Sequence, residues 1–374
     1  VTDGPSASFS APERLARIRL VRTDGVGPVS FGQLIRRFGS GAAAVEALAG
    51  MGKPVAEAGV AEAEVASVQA LGARHLLLGE ADYPPLLAEL TDPPPLLVAV
   101  GDTALAARPV VAMVGARNAS AAGRSVALEM AEALGAAGWV VASGLARGID
   151  AEAHRGALAT GTIGCVAGGV DIAYPPENAA LQDAIAQRGL ILSELPPGTE
   201  PQARHFPRRN RLIAGVARGV VVIEAAQGSG SLITARIAGE AGREVMAVPG
   251  HPRDPRSTGG NGLIRQGATL VEVAADVLGV LSPFAVVARQ PQPARRAVVA
   301  RPERASASAV VQPTEQGDLL DLLSVSGVPL DDLVRALGLP VASVQAMLAD
   351  LEIDGRVVRL AGGRVARVSH GAAG

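Results

Sequence analysis

The stretch Val110-Val111-Ala112-Met113-Val114-Gly115-Ala116-Arg117-Asn118-Ala119-Ser120, followed by a helical run from Ala121 to Ala137 and then Val140-Val141-Ala142-Ser143-Gly144, decides the fold. Its apolar runs do not alternate with polar residues, which suits strands covered on both faces. Glycine and serine end each run and open a helix. The same strand, loop and helix order recurs up to residue 271. Further strands are predicted at Ile163–Val166, Leu190–Leu192, Val220–Ile223 and Glu244–Val248. Helices are predicted at Ala151–Ala159, Asn178–Arg188, Arg208–Ala217 and Ser231–Ala241. Alternation over this length implies an α/β fold with a doubly wound parallel sheet.

Working outward, residues 1–10 are polar and expected to be disordered, with no signal-peptide pattern. Residues 11–80 read as a small unit of short helices. There, Asp24-Gly25-Val26-Gly27-Pro28 forms a turn like that of a helix-hairpin-helix or SAM unit, and a plain helical corner fits as well. The sheet domain is assigned to 81–282, its prolines at 84–85 and 93–95 stiffening the approach to the sheet. Residues 283–316 are rich in Pro, Ala and Arg and read as a linker. Residues 317–370 predict three helices and a ribbon turning at Gly362-Gly363, a winged-helix-like domain. Its third helix carries Asp350, Glu352 and Asp354 and no basic residue, unlike a DNA-reading helix.

Composition narrows the class. The chain has 374 residues, too many for one ordinary core. No stretch of about 18 apolar residues runs without charge or frequent glycine, so no membrane segment is expected. One cysteine, Cys165, excludes an internal disulfide, and five scattered histidines give no metal-ligand spacing. A soluble, cytoplasmic protein without metal or cofactor is expected. The net charge of −2 hides a local cluster: residues 200–218 hold five arginines and one acid.

That cluster is Arg204-His205-Phe206-Pro207-Arg208-Arg209-Asn210-Arg211-Leu212-Ile213-Ala214-Gly215. Arginines in a first helical turn face the positive end of the helix dipole, unfavourable by roughly 0.3–1 kcal/mol each. They therefore call for an anion, either a carboxylate such as Glu194 or Glu224, or a bound phosphate. Ligands of open α/β sheets collect beyond the carboxyl ends of the strands. On that rim fall Gly115, Ala116 and Arg117, then Gly144 and Arg147, then the arginine run, then Gly228 and Ser229. Glycines and helix starts there aim backbone N–H groups at an anion. The first turn is not G-x-G-x-x-G, and no acidic ribose hook ends the second strand, which argues against a dinucleotide. No phosphate-loop lysine motif and no G-x-S-x-G elbow occurs. His154 reads as a packing histidine.

These loops together closely resemble the DNA-processing DprA (Smf) family. The resemblance rests on Val114–Arg117 with Ser120 and Gly123, Ser143–Asp150 with His154, Tyr174-Pro175 with Asn178, Ser193-Glu194, Phe206–Gly215, Ser229–Leu232 and Val248-Pro249-Gly250. It spans about 110 to 270 in order, and the flanking units fit the family's longer members. It implies an extended Rossmann-like fold that binds single-stranded DNA without catalysis, protects incoming strands in natural transformation and loads the RecA recombinase. It also implies a homodimer through this domain. Carried onto this chain, Arg117 would meet phosphate, Phe206 would stack on a base, and Arg209, Asn210 and Arg211 would complete the pocket. Ala116 stands where many relatives have serine. Pro176 stands where a basic residue is common, which moves that phosphate contact to Arg204 or Arg147. The rival reading is a Rossmann-like nucleotide hydrolase of the lysine-decarboxylase-like group. Its P-G-G-x-G-T-x-x-E turn is answered here by Gly228–Thr234, without the glutamate.

Overall fold

The computed structural model describes residues 8–282, 313–324, 327–354, 356–360 and 364–368. Residues 1–7 of the expected disordered start, 283–312 of the expected linker and the Gly362-Gly363 turn lie outside the described residues.

Four helices come first: α1 (Ala11–Arg22), α2 (Pro28–Phe38), α3 (Gly41–Gly50) and α4 (Ala58–Ala70). Pro28 opens α2, where a missing N–H is not needed. Leu20, Phe31, Ala44 and Leu48 form the centre of this unit. The segment read as helical to residue 80 changes character after α4, because Arg74–Leu77 is a strand, β1. Four residues starting with Arg-His are too short to show a period. Antiparallel pairing with β2 (Leu96–Gly101), from Arg74 opposite Ala99 to Leu77 opposite Leu96, holds them extended. A short α5 (Pro85–Ala88) lies between the two strands, and Pro93–Pro95 stop just before β2, so no proline enters the ladder.

The alternating region follows as β3 (Val110–Gly115), α6 (Ala121–Ala136), β4 (Val140–Ser143), α7 (Ile149–Ala157), β5 (Thr162–Cys165), α8 (Ala179–Arg188), β6 (Leu190–Ser193), α9 (His205–Gly215), β7 (Gly219–Ile223), α10 (Gly230–Glu240), β8 (Glu244–Ala247), α11 (Thr258–Arg265), β9 (Thr269–Leu270) and α12 (Ala274–Leu281). The sheet order is β1-β2-β6-β5-β4-β3-β7-β8-β9. The seven strands from β6 to β9 pair in parallel, and β1 and β2 add an antiparallel edge. Side chains alternate between two cores, which explains the unbroken apolar runs. Val110, Ala112 and Val114 face one core with Leu212, Ile213 and Ala235. Val111 and Met113 face the other with Ala127, Met130, Ile149 and Val277. Strand order reverses between β3 and β7, and there a crevice is expected at the carboxyl edge.

The last unit comprises α13 (Pro313–Leu322), β10 (Val328–Pro329), α14 (Leu330–Leu337), α15 (Val341–Ile353), β11 (Val357–Leu360) and β12 (Arg364–Arg367). Three strands in the order β10-β12-β11 flank the helices, one more than the ribbon read from the sequence, and complete a winged helix. Its core of Leu319, Leu333, Val344, Leu348 and Val365 also takes in Ala121 of α6, so this unit sits against the sheet domain. No single helix among the described residues is long and apolar enough to cross a membrane.

Candidate functional site

A cavity of about 410 Å3 opens where the strand order reverses. Its walls are Val114–Asn118 after β3, Ala226 and Ser229–Ser231 after β7, and one face of α9. That face presents Phe206, Arg209, Asn210 and Ile213, the i, i+3, i+4 and i+7 positions of one helical stripe. Pro207 sits in the first turn of α9, and Leu212 on another side of the helix is fully buried against the sheet. Packing on the sheet fixes the rotation of α9, and the rotation decides which residues meet the cavity.

Phe206 is half-buried at the centre of a cationic, aromatic cluster. The Tyr174 ring centroid lies 5.6 Å from that of Phe206, tilted by 58°. The guanidinium carbons of Arg117 and Arg209 stand 5.3 Å and 5.9 Å from the Phe206 centroid. Both distances are within cation–π reach. A second cavity of about 250 Å3 shares Arg117, Phe206 and Arg209 with the first and adds Gly144, Arg147, Tyr174 and Pro176.

Arg209 is the unusual member. It is buried, its Nε has no hydrogen-bond partner among the described residues, and no carboxylate lies within ion-pair distance. Burial pushes its pKa down, against the pull of the buried Asp150 carboxylate. Asp150 in turn is pushed up by burial, although the Arg209 charge and N–H groups of Gly144 and Ala146 favour its ionised form. An arginine cannot shed its proton at working pH, and the Asp150 carboxylate, just beyond ion-pair distance, compensates the buried guanidinium only in part, which leaves it suited to a second anion. Two glycines create this setting. A Cβ on Gly144 would fall 1.3 Å from an Arg209 nitrogen, so only a bare backbone lets the guanidinium lie there. Gly148, at φ +74°, packs its α-carbon so tightly on the Ala116 carbonyl that a Cβ would come within 2.3 Å of that oxygen, which locks the two loops together.

The other residues singled out from the sequence separate. Gly115, Ala116, Asn210 and Ser229 line the larger cavity, Asn210 donating from Nδ2 to the Gly230 carbonyl at 3.3 Å. Gly144 and Arg147 line the smaller one, Arg147 lying 3.7 Å from Glu177. Arg211 lines neither. It turns to Glu194, with Nε at 3.1 Å and Nη2 on the second oxygen, and to Asp92 at 3.2 Å. Burial opposes the Arg211 charge, and the Glu194 carboxylate more than restores it, so its pKa rises. Arg208 adds a 3.6 Å contact to the same Glu194. Glu224, the other carboxylate considered for these arginines, accepts instead from the Ser120 N–H at 2.8 Å and from its hydroxyl at the start of α6. Arg204 is exposed, with only His205 Nε2 near its Nε at 3.4 Å, and Arg204 and Gly228 line neither cavity.

Asn118 and Arg256 line the larger cavity without having been named as ligand contacts, and Tyr174, noted only within the Tyr174-Pro175 block of the resemblance, lines the smaller one. The spacing of Tyr174 from Phe206 along the chain carries no signal; a rim position after β5 does. Ser143, His154 and Cys165 line neither cavity. The Ser143 hydroxyl donates to the Met113 carbonyl at 2.6 Å. His154 is buried with Nδ1 2.7 Å from Thr162 Oγ1, and burial lowers its pKa to about 3. Burial pushes the Cys165 thiol up to about 12.

The switch point of this mostly parallel sheet thus holds a cationic, aromatic cavity, at the place where ligands of open α/β sheets collect. The chain belongs to the family of DNA recombination-mediator protein A, whose model matches residues 74–282. The DprA-like N-terminal HHH domain matches residues 11–72, and the DprA winged helix domain matches 300–363. The chain is 43% identical to the DNA processing protein DprA of Bacillus subtilis over 57% of its own length and 73% of that protein. It is 36% identical to the protein Smf of Escherichia coli over 79% of each chain. Among solved structures, DprA of Streptococcus pneumoniae superposes with a TM-score of 0.61 at 33% identity, covering 73% of this chain and 98% of that one. DNA processing protein A of Helicobacter pylori, described by its single-stranded DNA binding mode, superposes with a TM-score of 0.52 at 31% identity, covering 57% and 96%.

Proposed function

We propose that this protein binds single-stranded DNA at the Phe206 cavity, without covalent chemistry, protects incoming strands in natural transformation and passes them to the RecA recombinase. It does so in the cytoplasm as a homodimer joined through the sheet domain. The observation that carries the binding step is the buried Arg209 guanidinium beside Phe206 and Arg117, without a hydrogen bond at Nε and only partly compensated by Asp150. Phosphate supplies the second anion, and a base stacks on Phe206, an interaction that tolerates any sequence. The solved Helicobacter pylori relative, described by its single-stranded DNA binding mode, supports the choice of polymer. Family membership supports the place in transformation, while recombinase loading and dimerisation rest on the resemblance alone.

A salt titration with single-stranded and duplex oligonucleotides tests the binding step. Single strands are expected to bind more tightly, with log K falling by about 0.7 per phosphate contact for each decade of salt. Arg117→Ala is expected to lower both affinity and slope. Equal binding of wild type and Arg117→Ala at every salt concentration would remove the cavity from the reading.

A further inference from the structure

A cavity of about 900 Å3 lies outside the site just described, between the winged helix and the rim of the sheet domain. Arg253, in the loop after β8, forms one side, and Arg356 and Arg367 form the other. Arg356 and Arg367 stand at the same end of the wing, where the Val368 N–H donates to the Arg356 carbonyl at 2.8 Å and Val357 pairs with Arg367. All three arginines are exposed, and none has an ion pair among the described residues. Arg256, also in the wall, differs. It is held by Asp254 at 3.1 Å and donates to the carbonyls of Asp321 at 2.7 Å and Leu323 at 2.6 Å. Arg256 is thus a pin between the two units, and the three free guanidiniums are left facing the cleft it fixes.

We propose that this cleft is a second seat for the phosphate backbone of a single strand, continuing the path that begins at Phe206. The inference rests on the binding function proposed above. Continuity is direct: Asn118 and Arg256 line both cavities. The wing, not the helix, carries the contact. Helix α15 bears Asp350 and Glu352 and would repel phosphate, whereas the near end of the ribbon bears Arg356 and Arg367. Asp254 is spent on Arg256, which leaves Asp321 and Asp354 against three unpaired arginines. The two aspartates weaken the field without reversing its sign. A groove of fixed cations tracking a backbone is how sequence-tolerant single-strand binders extend their site.

The test uses the full chain and two oligothymidylates, of about 6 and about 20 nucleotides, short enough and long enough to separate one site from an extended path. In the triple variant Arg253→Ala/Arg356→Ala/Arg367→Ala, the longer strand is expected to lose affinity and about 2 units of salt slope, about 0.7 for each contact removed. Binding of the shorter strand is expected to stay at the wild-type level, which also reports that the variant is folded. Asp354→Asn is expected to tighten the longer strand alone. Unchanged binding of the longer strand by the triple variant overturns the proposal, as does a loss equal for both oligothymidylates. A wild type that binds neither oligonucleotide fails earlier, at the Phe206 cavity itself.

Discussion

Two faces of α9 use arginine in opposite ways. Phe206, Arg209 and Asn210 face the cavity at the switch point, where Arg209 has neither hydrogen bond at Nε nor ion pair. Arg208 and Arg211 face Glu194, and Arg211 is fully engaged by two carboxylates. The Glu194 face is a structural clasp. Its backbone carbonyl also accepts from Arg22 of α1 at 3.2 Å, and Asp92 belongs to the segment leading into β2. The clasp joins the helical unit, the antiparallel edge and α9. One face spends its charge on the protein and the other keeps it for a ligand.

The comparison breaks most readily at Arg211. Its removal leaves the Glu194 carboxylate, 9% exposed, with only the looser Arg208 contact. Breaking a buried pair from one side costs about 3–5 kcal/mol. Arg211→Ala is therefore expected to lower the unfolding free energy measured by urea denaturation by about 3 kcal/mol, near the lower end of that range, while the salt slope of oligonucleotide binding at the Phe206 cavity stays at the wild-type value. A slope reduced as much as in Arg117→Ala would show that Arg211 meets phosphate and that the two faces are not distinct. On the other face, Phe206→Ala is expected to weaken single-strand binding by about 1–3 kcal/mol, with the slope intact, because stacking releases no counterion. A slope change there would make Phe206 a support for Arg117 and Arg209 more than a stacking platform.

The acid response sharpens the contrast from below the cavity. His154 is held near pKa 3, first by burial and then by the Arg209 charge, against an ordinary value of 6.5. Between those values the unfolded chain takes up a proton that the folded chain refuses. Stability is therefore expected to be complete above pH 6.5 and to fall by as much as about 1.4 kcal/mol per pH unit as the pH drops towards 3. Denaturation midpoints across that window measure it, and His154→Gln should flatten the dependence. On the clasp side of the molecule, Glu64 opposes burial through Arg22 and His75 and sits near pKa 2, so its contribution is lost only as pH falls from 4.5 towards 2. The two windows overlap below pH 4.5, so the loss between pH 6.5 and 4.5 reports His154 alone.

Much of the sheet was legible because burial on both faces leaves runs such as Val110–Val114 with no polar interruption. β1 was not, because Arg74-His75-Leu76-Leu77 owes its extension to a partner strand 19 to 25 residues further along the chain. The rim loops were legible through the rule that ligands gather at strand ends. The assignment of Arg211 to phosphate was not forced by the residues. Helical phase separates it from Arg209 by about 200°, and carrying i, i+3, i+4 forward from Phe206 reaches Arg209, Asn210 and Ile213 without touching Arg211. What phase alone lacks is the identity of the opposing surface, since Glu194 arrives from the end of β6 and Asp92 from another segment altogether.

Arg204 gives the smallest effect and the finest discrimination. It stands at the head of the same run and was named as the stand-in for the basic residue that Pro176 replaces, yet it is exposed and lines neither cavity. Arg147 does line the smaller cavity beside Pro176, with only an exposed 3.7 Å contact to Glu177 to hold it. Surface pairs of that kind contribute about 0–1 kcal/mol, so a phosphate displaces Glu177 at little cost. Arg204→Ala is accordingly expected to leave short-strand affinity within about twofold and the slope unchanged, whereas Arg147→Ala removes about 0.7 from the slope. If the two variants exchange these behaviours, the strand leaves the cavity past the start of α9 and not past Pro176, and the path along the rim runs the other way.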